Sequence, residues 1–431
     1  MAHMRGAGAS ANTVVNFDRT LRAILPLLAI SLALGCGGAL PPRLESPNAS
    51  HCALVDSATV RARLSDGQPV FLELRAFAEQ GAGYLLLGER AFIDTGTRFR
   101  QARVNDADAI GVLLDKSGLA TLVLPPPGAR HFVIPKVLRG DVSGADVLWL
   151  DPDSVGGDTP RPARIMAARY EGRAWSTPTA IVNVPRLVIS WNEAAQPTTV
   201  PSGPALAVTQ FSPDSGPFVE LLVERNGLWS RHSVASGYQP LYPSIATLGD
   251  SWFLTFTGVD STHSFGLFVV RSNDAGKTWS SPYLVAAGRA YEERLLALGQ
   301  GLALVWVGEH EKYRPRGVHV AFSRDGTHWT TSSAFDPVND STTAAMAMAF
   351  DDGRIALVRL IGVSADRIES FEMVSSTARR VLWTKPLTSL SPPLLLKHGT
   401  DTIILLTNGA HRTGSLIAPY MTLSWGRVRC D

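Results

Sequence analysis

Apolar residues along this chain gather in short runs broken by turns that carry Gly, Asp or Asn. Examples are YPSIATL (242–248), SWFLTFTG (251–258), RLLALG (294–299) and GLALVWVG (301–308). Such runs alternate with polar positions and are rich in β-branched and aromatic residues, which predicts strands. Helical periodicity is almost absent, so the chain reads as all-β.

The runs are ordered by a repeat. A strand, a turn with Gly or Asp, and then a tryptophan recur at Trp175, Trp229, Trp279, Trp329 and Trp383, with spacings of 54, 50, 50 and 54 residues. The surrounding segments are MAARYEGRAWSTP (166–178), LLVERNGLWSR (221–231), VVRSNDAGKTWSSP (269–282), VAFSRDGTHWTT (320–331) and EMVSSTARRVLWTKP (372–386). Two further apolar runs lie between successive tryptophans, giving about four short strands per unit. Weaker copies flank the five clear ones, at 83–125 and at 392–426 with Trp425. Sheets repeating at this period predict a β-propeller of four-stranded antiparallel blades. Seven inner strand pairs, starting near residues 70, 134, 187, 243, 293, 344 and 392, predict seven blades. The alternative is six blades from about residue 131, with 52–125 as an extra N-terminal piece.

Two of these turns carry more than a tryptophan. Ser272, Asp274, Gly276, Thr278 and Trp279 fit Ser-x-Asp-x-Gly-x-Thr-Trp, and Ser323, Asp325, Gly326 and Trp329 form a shorter second copy. They resemble the Asp-box of sialidases and related propellers. The Ser and Asp side chains can accept turn N–H groups, Gly allows positive φ, and Trp supplies apolar area between blades. In that family the boxes lie opposite the active site, so they imply a fold and no activity.

The same resemblance implies where chemistry would lie. A sialidase-like site uses three arginines on a carboxylate, a Tyr–Glu nucleophile pair and an Asp acid/base. Its first arginine sits in a Phe/Tyr-Arg-Ile-Pro motif, and this chain has Phe132-Val133-Ile134-Pro135, with valine where the arginine would be. Valine offers no bidentate donors. The family's Asp position falls near DPDSVGGD, where Asp151 and Asp158 are candidate acids and Asp151, Asp153 and Asp158 a candidate Ca²⁺ set. The reading preferred for that stretch is a solvated hairpin turn. Blade topology places two charged segments on the family's ligand face as loops. AGRAYEERL (287–295) offers Arg289, Tyr291, Glu292, Glu293 and Arg294, and GEHEKYRPRG (308–317) offers Glu309, His310, Tyr313, Arg314 and Arg316. Tyr291, Glu292, Glu293 and Tyr313 are the catalytic candidates; Arg289, Arg294, His310, Arg314 and Arg316 form a candidate ligand-binding rim.

Composition narrows the function classes. The chain has 431 residues with 40 Lys and Arg against 38 Asp and Glu. A net charge of +2 gives little affinity for nucleic acid. Metalloprotease, phosphate-loop and Gly-x-Ser-x-Gly motifs are missing from the sequence. No cofactor is expected.

The N-terminal segment predicts export. Arg5, Arg19 and Arg22 precede an apolar stretch, Ala23 to Leu34, that is too short to span a bilayer, and Gly35-Cys36 follows. The junction resembles the lipobox of bacterial lipoproteins, with Ala33 where that motif prefers Leu, and implies lipidation of Cys36. Residues 1–36 read as a signal, 37–51 as a flexible tether and 52–431 as the propeller. Export permits a disulfide between Cys52 and Cys430, which a closed ring would bring side by side. The expected protein is a monomer, lipid-anchored in a bacterial envelope, periplasmic or cell-surface. It binds a glycan, peptide or envelope protein without catalysis. A sialidase-like glycoside hydrolase and an envelope scaffolding factor are the alternatives.

Overall fold

The computed structural model describes residues 52–72, 74–81, 83–94, 99–141, 143–153, 161–187, 195–212, 214, 216–308, 317–332, 342–350, 353–361, 367–375, 379–387, 394–398, 402–413 and 416–430. All of them belong to one unit, Leu44–Asp431.

Among the described residues the chain forms five four-stranded antiparallel sheets and one nine-stranded sheet, whose two parts, numbered here as sheets 2 and 3, join through the single pairing of Leu187 with Gln210; a three-stranded and a two-stranded sheet lie beside them. Sheet 1 runs from Ala76–Gln80 through Gly83–Leu87 and Gly111–Asp115 to Ala120–Val123. Sheet 2 is Val133–Gly140, Gly144–Pro152, Arg161–Glu171 and Thr179–Leu187. Sheet 3 is Ala195–Val200, Gly203–Ser212, Gly216–Arg225 and Leu228–Ser236. Sheet 4 is Leu241–Leu248, Ser251–Val259, Phe265–Ser272 and Tyr283–Ala287. Sheet 5 is Ala290–Leu298, Gly301–Gly308, Gly317–Ser323 and Thr330–Ser332. Sheet 6 is Thr342–Ala349, Ile355–Ile361, Arg367–Val374 and Arg379–Leu387. Sheet 7 joins the two ends of the chain: Leu394–His398, Thr402–Thr413 and Leu416–Cys430 are completed by the N-terminal strand Cys52–Arg61.

The first strands of these sheets touch in cyclic order, each against the next, and sheet 7 against sheet 1. The cores follow the same order. Separate apolar clusters lie between sheets 1 and 2, 2 and 3, 3 and 4, 4 and 5, 5 and 6, 6 and 7, and 7 and 1. A sheet covered on both faces needs apolar side chains on both, which is why the second strands run continuously apolar. All eight residues of Gly301–Gly308 are buried. Fourth strands, with one edge in water, alternate, as Leu228–Ser236 does. This radial arrangement of four-stranded antiparallel sheets is a β-propeller.

Two starting points differ from the sequence reading. Residue 187 ends the fourth strand of sheet 2, and sheet 3 begins at Ala195. Val70–Leu72 belongs to an excursion beside sheet 1, pairing with Ala91–Asp94 and, through it, Phe99–Gln101. The apolar run at 70 is therefore strand, but a strand of an insert.

Candidate functional site

The tryptophans mark the hairpin between third and fourth strands. Trp175, Trp229, Trp279 and Trp329 each pack against the cluster shared by their own sheet and the preceding one. Trp175 also donates to the Leu124 carbonyl at 2.8 Å, at the end of sheet 1. Burying half an indole in this way contributes on the order of 2 kcal/mol. Trp383 lies in the corresponding strand of sheet 6, opposite Phe371 in register; its side chain is outside the described residues.

The two Asp-box turns are built alike. Ser272 Oγ accepts the Gly276 N–H at 2.9 Å, and Asp274 Oδ1 accepts the Thr278 N–H at 2.9 Å while Oδ2 accepts the Thr278 hydroxyl at 2.6 Å. The Thr278 bonds, then the Ser272 hydroxyl, hold the Asp274 carboxyl below its usual range. In the second copy Ser323 Oγ accepts Gly326 N–H at 2.8 Å, and Asp325 Oδ1 accepts the N–H groups of Thr327 and His328 at 2.8 and 2.9 Å. Gly326 has φ +72°, and a Cβ there would stand 2.1 Å from Cε1 of Phe253. The turn between first and second strands lies at the same end, where the Ser251 hydroxyl donates to Asn273 at 2.9 Å. This end of the sheets is occupied by structural bonds.

The opposite end holds the starts of the first strands, and it corrects the reading of 287–295 as a loop. Ala290–Leu298 is the first strand of sheet 5. Its register slips between Tyr291 and Arg294, where it pairs with Val307 and then Val305. Sheets 2 and 4 slip at the matching place, between Val133 and Lys136 and between Leu241 and Ser244. Tyr242 and Glu292 take the same left-handed backbone in these bulges, with φ 52° and 53°. A bulge re-aims the side chains beside it, and here it turns the carboxylates toward neighbouring sheets. Glu292 Oε2 accepts the N–H of Ala345 in sheet 6 at 3.0 Å. Glu293 is completely buried and accepts the N–H of Thr257 in sheet 4 at 2.8 Å, with the Thr257 hydroxyl 3.2 Å away. Burial, opposed by the Thr257 bonds, pushes the Glu293 carboxyl well above the usual range. Thr257 Oγ1 lies 3.0 Å from the Ala290 carbonyl as well, so its one hydroxyl proton faces two acceptors, that carbonyl and Glu293. Both candidate carboxylates thus tie sheet 5 to its neighbours. Tyr291 meets Tyr242 edge-on, with ring centroids 5.9 Å apart. Arg289, in the link between sheets 4 and 5, holds its guanidinium 4.1 Å over the Phe265 ring.

Val133, at the position of the family's arginine, is partly buried and packs against the core between sheets 2 and 3. Three residues on, Lys136 stands where Arg294 stands in sheet 5 and Ser244 in sheet 4. Burial, and then the charges of Arg294 and Arg75, drive the Lys136 ammonium well below its ordinary value. Arg75 immediately precedes the first strand of sheet 1 and donates its N–H to Leu87 at 2.9 Å. Charges from sheets 1 and 5 thus bear on Lys136 of sheet 2. Sequence reading found only Arg294, because a lone Lys or Arg in an apolar strand gives no hint of which residues meet it across the ring.

Asp151 also corrects the sequence reading. It is no solvated turn residue: it lies next to the last residue of the second strand of sheet 2 at 1% exposure. It accepts the His131 N–H at 2.9 Å and pairs with Arg164. Asp153 is exposed and Asp158 lies outside the described residues. Among the described residues no three acidic, His or Cys side chains gather to hold a metal. A second buried network went unread: Gln210 donates to Glu220, which receives Arg231 bidentately at 2.9 and 2.8 Å. Its signal was a Gln and a Glu inside the apolar runs GPALAVTQFS and GPFVELLVER. Cys36, Glu309, His310, Tyr313, Arg314 and Arg316 lie outside the described residues.

No protein-family model matches the chain, and no curated protein does. Among solved structures, a protein of unknown function from Dyadobacter fermentans is 12% identical, with TM-score 0.46 over 72% of this chain and 97% of that one. A Hadza microbial sialidase is 13% identical, with TM-score 0.46 over 82% and 74%. An α-L-arabinofuranosidase of Fusarium graminearum in complex with an iminosugar inhibitor is 14% identical, with TM-score 0.43 over 66% and 89%. At these scores and identities the likenesses assign neither activity nor substrate to this chain.

Proposed function

We propose that the chain is an exported, lipid-anchored, seven-bladed propeller that binds a glycan at the end where its first strands begin, and does not cleave it. The observation that carries this reading is the engagement of Glu292 and Glu293 in bonds between sheets, to Ala345 and Thr257. A nucleophile pair needs a carboxylate free to take the tyrosine proton, and an acid/base needs one that reaches the leaving oxygen. Val133, partly buried against the core where the family has its arginine, supplies no leading carboxylate clamp either. At the same end, Phe265 is 39% exposed and carries Arg289 on its face, offering a sugar an apolar platform beside a donor fork.

Seven first strands in cyclic contact support the blade number. Cys52 standing opposite Cys430 in antiparallel register supports a disulfide across sheet 7. Directly opposed antiparallel residues have Cα atoms about 4.5–5.5 Å apart, inside the range a disulfide spans. Anchoring through Cys36 and a tether over 37–51 rest on the sequence alone.

The test is turnover of a fluorogenic α-sialoside and a fluorogenic α-L-arabinofuranoside by the full chain, run beside a glycan microarray. Retention on the array without turnover is expected. Turnover that vanishes in Tyr291→Phe would overturn the reading.

A further inference from the structure

The chain enters the propeller at the Asp-box end. Cys430 closes the third strand of sheet 7 there, next to the pairing of Arg429 with Thr402 at the start of the second strand, and Cys52 stands opposite it on the fourth. A flexible coil of the length of 37–51 spans about 20 Å on root-mean-square average, so a lipid on Cys36 keeps this end close to a bilayer. The hairpins between third and fourth strands reach outward at the same end. In sheets 1 and 3 their turns are made by Gly118 and Gly227, with φ 91° and 80°, and each glycine is followed by a leucine standing in water. Leu119 is 47% exposed and Leu228 77%. Exposed cations accompany them: Lys116 in sheet 1 and Arg225 in sheet 3, with Arg173 and Lys277 in the corresponding hairpins of sheets 2 and 4. The carboxylates of the leucine hairpins turn back into the chain. Asp115 Oδ1 accepts the N–H groups of Ser117 and Leu119 at 2.8 and 2.9 Å, and Glu224 Oε1 accepts that of Gly227 at 2.8 Å. Sheets 1 to 4 are consecutive in the ring, so these six tip residues lie along one arc of its rim.

Resting on the anchoring in the function above, we propose that this arc is a membrane-contact surface for an anionic bilayer. Leu119 and Leu228 sit among the headgroups, and Lys116, Arg173, Arg225 and Lys277 lie against lipid phosphates. The leucines gain by leaving water, and basic side chains beside a negatively charged lipid surface add attraction that fades within a Debye length. Long Lys and Arg side chains suit such a boundary, with their stems among apolar groups and their charged ends at the phosphates. Contact at the tips converts a loose tether into a fixed orientation. The opposite end, with Phe265 and Arg289, then faces away from the membrane, where a glycan arriving from solution meets it.

The test holds the full chain, through an N-terminal hexahistidine tag, on vesicles of phosphatidylcholine and phosphatidylglycerol doped with nickel-chelating lipid, and compares its hydrogen exchange with that of the same chain in solution. Exchange over 115–119 and 225–228 should slow at least about threefold, while the turn 260–264 at the opposite end stays unchanged. Leu119→Ser combined with Leu228→Ser should abolish the slowing, and Lys116→Gln combined with Arg225→Gln should at least halve it. Both double variants should keep the wild-type unfolding midpoint within about 2 °C, since the replaced side chains stand in water. Vesicles without phosphatidylglycerol should slow the hairpins less, and added salt should weaken the effect. No slowing at either hairpin, equal slowing at both ends, slowing that survives in the leucine variant, or equal slowing on phosphatidylcholine alone would overturn the proposal. The tag holds the chain whether or not Cys36 is acylated. Mass spectrometry that finds Cys36 bare would therefore sink the anchor and leave this measurement standing, so the two readings fail separately.

Discussion

Between Thr257 and its own strand, the Glu293 carboxyl is neutral at acid pH at little cost and charged at alkaline pH against its burial. A group whose folded pKa is raised contributes stability that is complete below its unfolded value of about 4.5 and lost as pH climbs through the folded value. Wild type should therefore lose stability from about pH 4.5 upward relative to Glu293→Gln, which keeps the acceptor for Thr257 and cannot ionise. Urea unfolding across pH 4–9 checks this, and parallel curves would contradict it. Gly326 makes a second residue-scale case. With φ +72° and Phe253 2.1 Å from a built Cβ, Gly326→Ala should cost about 2–4 kcal/mol. Gly249, with φ +57° and nothing within 4 Å, should cost about 1 kcal/mol as alanine. The same urea series compares them.

Hairpins were the most legible elements and bulges the least. Ser272, Asp274, Gly276 and Trp279 announce a turn because each has a role that few other residues fill, and the structure places every one in it. A bulge adds one residue to a strand without altering its composition. AYEER over 290–294 therefore read as a charged loop, although it begins a strand whose carboxylates face neighbouring sheets. Asp151 misled for the same reason: a run of acidic residues suggests solvent, and its partner Arg164 lies on the next strand. The hairpin also joins elements. Trp329 Nε1 donates to the Tyr283 hydroxyl at 3.0 Å and to the Gly326 carbonyl at 3.1 Å, linking sheet 5 to sheet 4. Trp329→Phe should cost about 1–2 kcal/mol, and its combination with Tyr283→Phe should cost less than the sum, by about 0.5–1 kcal/mol. Strict additivity would show that the bond carries no linkage between the sheets.

At the scale of the molecule, the repeat of tryptophans made the cyclic order readable before any contact was known, because each indole needs a neighbour on the preceding side. What sequence could not supply was the meeting of residues from separate sheets: the latches to Thr257 and Ala345 depend on closure rather than on local pattern. Closure itself rests on Cys52–Arg61 lying against Leu416–Cys430. Deleting 52–61 should bare the edge of sheet 7, and size-exclusion chromatography should then show association through that edge.

Closure is tested most directly by bridging the two terminal cysteines in solution. The full chain, reduced and then treated with dibromobimane, a crosslinker of about 5 Å on the scale of a cross-strand pair, should yield a fluorescent peptide pair joining Cys52 and Cys430 when folded. The yield should fall sharply in guanidinium. Folded protein in which both thiols react singly and never with each other would contradict a ring closed by its own two ends.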